Sequence, residues 1–152
     1  MFDKSTYIEV NGEKVELIYN IVAMNTIGRK SGKSDVLVWL AESCGADKDK
    51  KVNVENADIN AFIERICVII SAMANASIHK HNLEIAMNMK QGEKKQPYPD
   101  GYFETFLDIS KIEEHQKKAI SAIYKGMNVE IPNELKADID EDLIEIEAEK
   151  KN

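Results

Sequence analysis

Arginine is scarce in this chain of 152 residues. There are only two arginines, Arg29 and Arg65, and the formal net charge at pH 7 is −7. Proteins that read nucleic acids normally carry a basic stripe that is often rich in arginine. No such stripe is visible, so the sequence argues against DNA or RNA as a partner.

Cysteines and long apolar runs are also few. Cys44 and Cys67 lie in apolar helical context without a Cys-x-x-Cys spacing, which predicts reduced core thiols. The longest uncharged apolar stretch, residues 66–78, is shorter than the ~20 residues that span a bilayer. The first ten residues are polar and mixed, unlike a secretory signal peptide. These absences predict a cytosolic protein without a membrane partner.

No catalytic or metal-binding motif can be recognised. His79 and His81 are two residues apart, so on a helix they point in nearly opposite directions and cannot share a metal. The loop "GRKSGKS" at 28–34 lacks the Walker spacing and follows a helical pattern, which indicates a plain interhelical turn. The acids of 138–149 partly match an EF-hand loop, but Leu143 stands where that loop needs glycine. We therefore predict a non-enzymatic protein with no cofactor and no metal.

The first pattern that is present is a β-hairpin at residues 7–19, "YIEVNGEKVELIY". Asn11-Gly12 lies between two alternating apolar runs and favours a type I′ turn, because both residues tolerate positive φ. A two-stranded hairpin is marginal in water by itself, so it must pack on helices or pair with another chain. The sequence allows a monomer and a homo-oligomer equally.

Two helices are predicted next. Apolar residues over 21–27 recur at roughly helical spacing, and Gly28 is the expected stop. Ser34 is the expected N-cap of the following helix, which Gly45 ends. Trp39 in this second helix is predicted to be a core anchor.

A long helix is predicted from Ile59, with Asn56 or Asp58 as its cap. Residues 67–76 are apolar or small on almost every side, which is typical of the central helix of a bundle or of an oligomer interface. Residues 79–91 are rich in helix formers, so we extend the helix through them.

An exposed loop is predicted at 92–101, followed by a short helical turn and a longer helix. Asp108 or Ser110 is the expected cap of that last helix, and Gly126 its expected stop.

Charge divides the chain into two parts. Residues 134–149 hold eight acids and one lysine, whereas residues 1–133 carry a net charge of only −2. High local charge favours a flexible segment over a packed one. We therefore predict a mainly α protein, with a single small helical domain over 1–133 that includes the N-terminal hairpin, and an acidic, flexible tail over 134–152.

The order of these elements resembles the small tail assembly chaperones of long-tailed bacteriophages and related prophages. In that family an N-terminal β-hairpin precedes a helical domain. The resemblance covers about residues 7–127 and is carried by "NGEKVELIY", "DVLVWLAESCG", "DINAFIERICVIISAMANASI" and "GYFETFLDISKIEEHQKKAISAIYKGM".

The resemblance implies a chaperone in the cytoplasm of the bacterial host that is not retained in the mature virion. Its implied partners are the tape-measure protein and the tail-tube protein. It also implies a longer form made by −1 ribosomal frameshifting, for which the codons of Lys150, Lys151 and Asn152 can supply a slippery heptamer.

The methionine-rich stretch 85–89 is the candidate partner surface. Methionine repacks readily around varied partners, so we predict partner contacts by Met73, Ile85, Met87 and Met89. The alternative is that these methionines fill the core.

Other functions remain open at this point. A structural minor tail or connector protein of a phage particle would share these fold signals but would be found in purified particles. A generic acidic helical interaction domain is a further alternative. An acidic DNA mimic is less compatible, because its carboxylates would be spread over the fold rather than gathered beyond Pro132.

Overall fold

A computed structural model describes residues 5–45 and 57–130 of the chain. The fold is mainly helical with an N-terminal two-stranded hairpin, which confirms the predicted fold class. The predicted tail over 134–152 and the alternative cap Asn56 lie outside the described residues. The elements are β1 (Thr6–Val10), β2 (Glu13–Leu17), α1 (Ile21–Ser31), α2 (Val36–Ser43), α3 (Ile59–Ala86), α4 (Tyr102–Phe106), a 3₁₀ turn (Ile109–Lys111) and α5 (Ile112–Met127).

The hairpin forms at the predicted turn. Asn11 and Gly12 have φ angles of 53° and 75°, as a type I′ turn requires, and β1 pairs antiparallel with β2. One face of each strand is buried, and beyond β2 the Ile18 amide donates to the Met73 carbonyl of α3 at 3.4 Å. The hairpin therefore packs on the helices, with α3 against β2 and α5 against β1.

The centre of the fold is α3. Its middle is buried on nearly every side, as predicted, and Ile66, Ile70 and Met73 have no exposed surface. The hairpin and the other helices of the described residues each contact this helix or the elements packed on it. Within the described residues, α3 is long and apolar enough to cross a membrane by length and composition alone. In this fold, its apolar residues supply the core.

Trp39 is buried, which confirms it as a core anchor of α2. The Arg65 guanidinium of α3 lies 5.1 Å from the centre of the Trp39 ring and also donates to the Trp39 carbonyl. This cation–π contact fastens α2 to α3.

Asn20 caps α1, whereas aspartates rather than serines cap α2, α3 and the 3₁₀ turn. Asp35 accepts from the amides of Leu37 and Val38 at the start of α2, so the predicted Ser34 cap was wrong. Asp58 caps α3 as predicted. Asp108 accepts from the Ser110 amide and caps the 3₁₀ turn before α5, while α5 itself has no side-chain cap. A carboxylate is the better acceptor here because it also interacts favourably with the positive helix terminus.

Two of the three glycines predicted as helix stops, Gly28 and Gly126, lie inside helices, whereas Gly45 follows the cap of α2 with φ of 88°, as predicted. α1 continues past Gly28 to Ser31, and Gly32, with φ of 69°, ends it by donating to the Gly28 carbonyl. α5 likewise continues past Gly126 to Met127. Asn128 ends α5 in the left-handed region, with φ of 56°.

Gly126 has a different role, since it allows α5 to touch the backbone that precedes α1. A Cβ atom at position 126 would lie 2.8 Å from the Tyr19 Cβ and 2.9 Å from its carbonyl carbon, and would overlap the carbonyl oxygen. Two backbones meet at this point, and only glycine leaves room for both.

We expect Gly126→Ala to destabilise the fold by ~1–3 kcal/mol, because the backbone of Tyr19 must move to admit the new methyl group. The matched control is Gly28→Ala in α1, where a Cβ would meet only the Lys33 carbonyl oxygen at 3.8 Å. That change is expected to be neutral or to stabilise by up to ~1 kcal/mol through helix propensity. Urea denaturation measures both variants, and equal effects would contradict the proposed close contact.

Candidate functional site

The last turns of α3 carry most of the predicted partner residues, and a specific cap ends the helix there. Asn88 adopts the left-handed region with φ of 57°, its amide donates to the Ile85 carbonyl at 3.1 Å, and the Met89 amide donates to the Glu84 carbonyl at 2.8 Å. These two bonds form a Schellman motif. The motif turns the chain sharply and holds Met89 beside the final turn.

After this turn, residues 93–98 run back along α3 as a strap. The Asn82 side chain donates to the Lys95 carbonyl at 2.9 Å and accepts from the Lys95 amide at 2.8 Å. Asn75 does the same for Tyr98, at 3.3 and 2.7 Å. Each asparagine amide therefore satisfies one backbone donor and one backbone acceptor, as a neighbouring strand would. The predicted loop is exposed over most of its length, but it is fixed to the helix.

The four predicted partner residues do not form one surface. Met73 is fully buried in the core, so it is not accessible to a partner in this structure. Met87 and Met89 are 66% and 69% exposed, and Ile85 is partly buried. Leu83, which sequence reasoning missed, is 48% exposed and lies one helical turn before Met87 on the same face. We call Leu83, Met87 and Met89 the α3-end surface.

Charged residues surround the α3-end surface. Lys90 follows Met89 directly, Lys94 and Lys95 lie on the strap, and Lys80 is one turn before Leu83. Lys80 also forms an exposed ion pair with Glu84 of 3.1 Å, of a kind that adds little stability. The rim is therefore mixed in sign with an excess of lysine.

The other candidate chemical groups are not brought together. Cys67 is buried, which raises the pKa of its thiol to about 11, so it is not a reactive thiolate at neutral pH. His81 contacts the Glu93 carbonyl at 2.9 Å, while His79 is exposed. Among residues 5–45 and 57–130, no group of three His, Cys, Asp or Glu side chains is placed to hold a metal. Of the turn predicted at 28–34, residues 28–31 belong to the end of α1, and only residues 32–34 lie between α1 and α2.

An apolar cavity of about 210 Å³ lies near the start of α3. Its lining residues are Ser43, Cys44, Ala57, Ile59 and Phe62. Among the lining residues that lie in the described part of the chain there is no histidine and no carboxylate.

A histidine of α5 is also buried. His115 of α5 is 4% exposed, and its Nδ1 has no hydrogen-bond partner in the described part of the chain. Burial lowers its pKa below the ordinary value of 6.5, and the nearby Lys118 and Lys111 act in the same direction. The neutral imidazole is therefore a packing residue of the fold.

Comparison with protein-family models, with curated proteins and with solved structures finds no match for this chain.

The burial of His115 predicts that the fold loses stability in mild acid. Because the pKa is lower in the folded state, the unfolded chain takes up the proton first as the pH falls below about 6.5, and stability decreases through the folded pKa. Urea midpoints at about pH 7.5 and 5.5 measure this loss. His115→Leu should reduce the difference between the two midpoints. The control His79→Leu, at an exposed position, should not, and an unchanged pH dependence in His115→Leu would contradict the assignment.

The strap predicts a selective effect of substitutions at Asn82. Asn82→Ala removes the acceptor of the Lys95 amide, whose hydrogen exchange should become about fivefold faster for a bond worth ~1 kcal/mol. Asn82→Asp keeps that acceptor, so the Lys95 amide should stay protected. Hydrogen exchange followed by NMR distinguishes the variants, and equal exchange rates at Lys95 would show that the asparagine does not hold the strap.

Proposed function

We propose that this protein is a non-enzymatic tail assembly chaperone of a bacteriophage or prophage. It binds the tape-measure protein in the bacterial cytoplasm and assists the assembly of tail-tube subunits around it. The observation that carries the proposal is the exposed α3-end surface, where Leu83, Met87 and Met89 are 48%, 66% and 69% exposed.

This surface suits a long helical partner with many similar apolar segments. Methionine side chains are unbranched and repack around different partner residues at little cost. The two exposed methionines lie at the end of a rigid helix, so they can pack against the apolar face of an amphipathic helix. The Schellman motif and the strap order the backbone beforehand, which reduces the entropy lost on binding.

The element order on which the resemblance rests is also present in the fold. The hairpin precedes α1, the buried α2 and the long α3, and the late pair α4 and α5 follows. This agreement supports the proposal at the level of architecture. The function itself rests on the resemblance and on the α3-end surface.

Binding to the tape-measure protein tests the proposal directly. The probes are purified helical segments of the long reading frame expected downstream of this gene. We expect the triple variant Leu83→Ser, Met87→Ser, Met89→Ser to raise Kd by roughly 100-fold, since each partly exposed side chain should contribute ~1 kcal/mol on burial.

The matched control removes three exposed apolar residues elsewhere. Ile59, Phe106 and Ile109 are 70%, 43% and 73% exposed, so their replacement by serine changes a comparable apolar area. This control should bind as the native chain does. If the native chain binds none of the segments, the proposed function is wrong; if both triple variants bind equally well, the α3-end surface is not the contact.

A structural minor tail or connector protein is the second candidate. The two roles predict different contents of the mature virion, because a chaperone is released during assembly whereas a tail subunit is retained. Mass spectrometry of purified virions therefore distinguishes them. A stoichiometric amount of this chain in mature particles would favour the structural role.

A further inference from the structure

The outer face of α1 is apolar at its start. Ile21 is 72% exposed, Val22 41% and Met24 44%, although Ala23 and Ile27 on the opposite face are buried. Three neighbouring exposed apolar side chains on one short helix are unusual for a surface that meets only water.

The end of α1 is basic. Arg29, Lys30 and Lys33 are exposed, and residues 20–34 contain no acid. None of the three cations forms an ion pair with a carboxylate in residues 5–45 or 57–130, and Asp35, the next acid along the chain, caps α2 instead. We call the exposed residues Ile21, Val22, Met24, Arg29 and Lys30 of α1, together with Lys33 in the turn that follows, the α1 surface.

The described chain ends beside the start of this surface. Gly126 packs on the Tyr19 backbone, two residues before Ile21. Asn128 then turns the chain out of α5, and the exposed Met127 and Val129 add apolar area at this junction. The segment that follows Glu130 therefore starts next to the apolar part of the α1 surface.

That segment has the complementary sequence. Residues 134–149 carry eight acids and one lysine. Four of their five large apolar residues, Leu135, Ile139, Leu143 and Ile146, recur at the three- to four-residue spacing of one helix face, and Ile144 lies off it. An acidic face thus accompanies an apolar stripe.

We propose that residues 134–149 dock on the α1 surface of the same chain. Leu135 and Ile139 pack near Ile21 and Met24, and the acids that follow lie beside the basic end of α1. Along α1, Arg29 lies ~12 Å beyond Ile21. In a helical segment, Asp142 would lie ~10 Å beyond Leu135. Because the two spacings are similar, the apolar contact and the charged contact can form at the same time.

Tethering makes such docking effective even when the intrinsic contact is weak. A segment joined to its site by a few residues meets it at an effective concentration of about a millimolar. The α3-end surface is a poorer fit, because Glu84 and Glu93 lie among its lysines and because it is farther from Tyr19 along α3. The docking does not depend on the proposed chaperone function, and it is measured without a partner.

The experiment follows hydrogen exchange of residues 134–149 in the full chain by NMR. We expect their amides to exchange at least about tenfold more slowly than in an unstructured chain. The variant Arg29→Glu, Lys30→Glu, Lys33→Glu should lose this protection. The matched control Lys90→Glu, Lys94→Glu, Lys95→Glu makes the same charge change at the α3 end and should keep it.

A charge swap makes the test specific. Replacing Asp140, Glu141 and Asp142 by lysine should remove protection in the native background and restore it in the α1 charge-reversal variant. Circular dichroism confirms that each variant is folded.

Three results would overturn the proposal. The first is no protection of 134–149 in the native chain. The second is protection that is lost only in the control variant, which would assign the segment to the α3 end. The third is protection that disappears on dilution, which would assign it to a second copy.

Discussion

The burial of α3 is the constraint on which the rest of the structure depends. Ile66, Cys67 and Ala72 are all buried and lie on different sides of this helix, so it needs cover from several directions at once. The covering elements are a two-stranded hairpin and short helices, which would be marginal alone in water. Each of these elements is stable because it packs on α3. The apolar side chains of α3 are in turn shielded from water because all of these elements cover them. The contact of Gly126 with Tyr19 closes this arrangement by joining the last helix to the start of α1.

The exposed end of α3 follows from a mismatch in length. The 28 residues of α3 extend over ~42 Å, whereas the 11 residues of α1 extend over ~16 Å and each five-residue strand over ~17 Å. Short elements cannot cover so long a helix, and its final turns are covered in part by the strap instead. The strap is held by Asn75 and Asn82, and it leaves Leu83 and Met87 on the uncovered side.

Features set by neighbouring residues, such as turns and helix periods, could be predicted from the sequence. Contacts between residues far apart in the chain could not. Asn11-Gly12 predicts its turn because the required φ values belong to those two residues, and the period of α3 belongs to the helix itself. Gly126 was taken for a helix stop because its real reason, the Tyr19 backbone, is more than 100 residues away. Met73 and Met87 look alike in sequence but differ in what covers them. Asn75 and Asn82 did carry a signal, since two amides seven residues apart share a helix face.

In the proposed arrangement, solubility depends on the acidic residues 134–149, whereas the partner binds at the α3-end surface. Residues 1–133 carry a net charge of only −2, so their exposed apolar side chains gain little protection from charge repulsion, whereas residues 134–149 carry −7. Docking that segment on the α1 surface would cover Ile21 and Met24 and bring negative charge onto the fold. The α3-end surface would stay exposed, because it is formed by other residues. A partner could therefore bind to the α3-end surface without displacing residues 134–149 from the α1 surface.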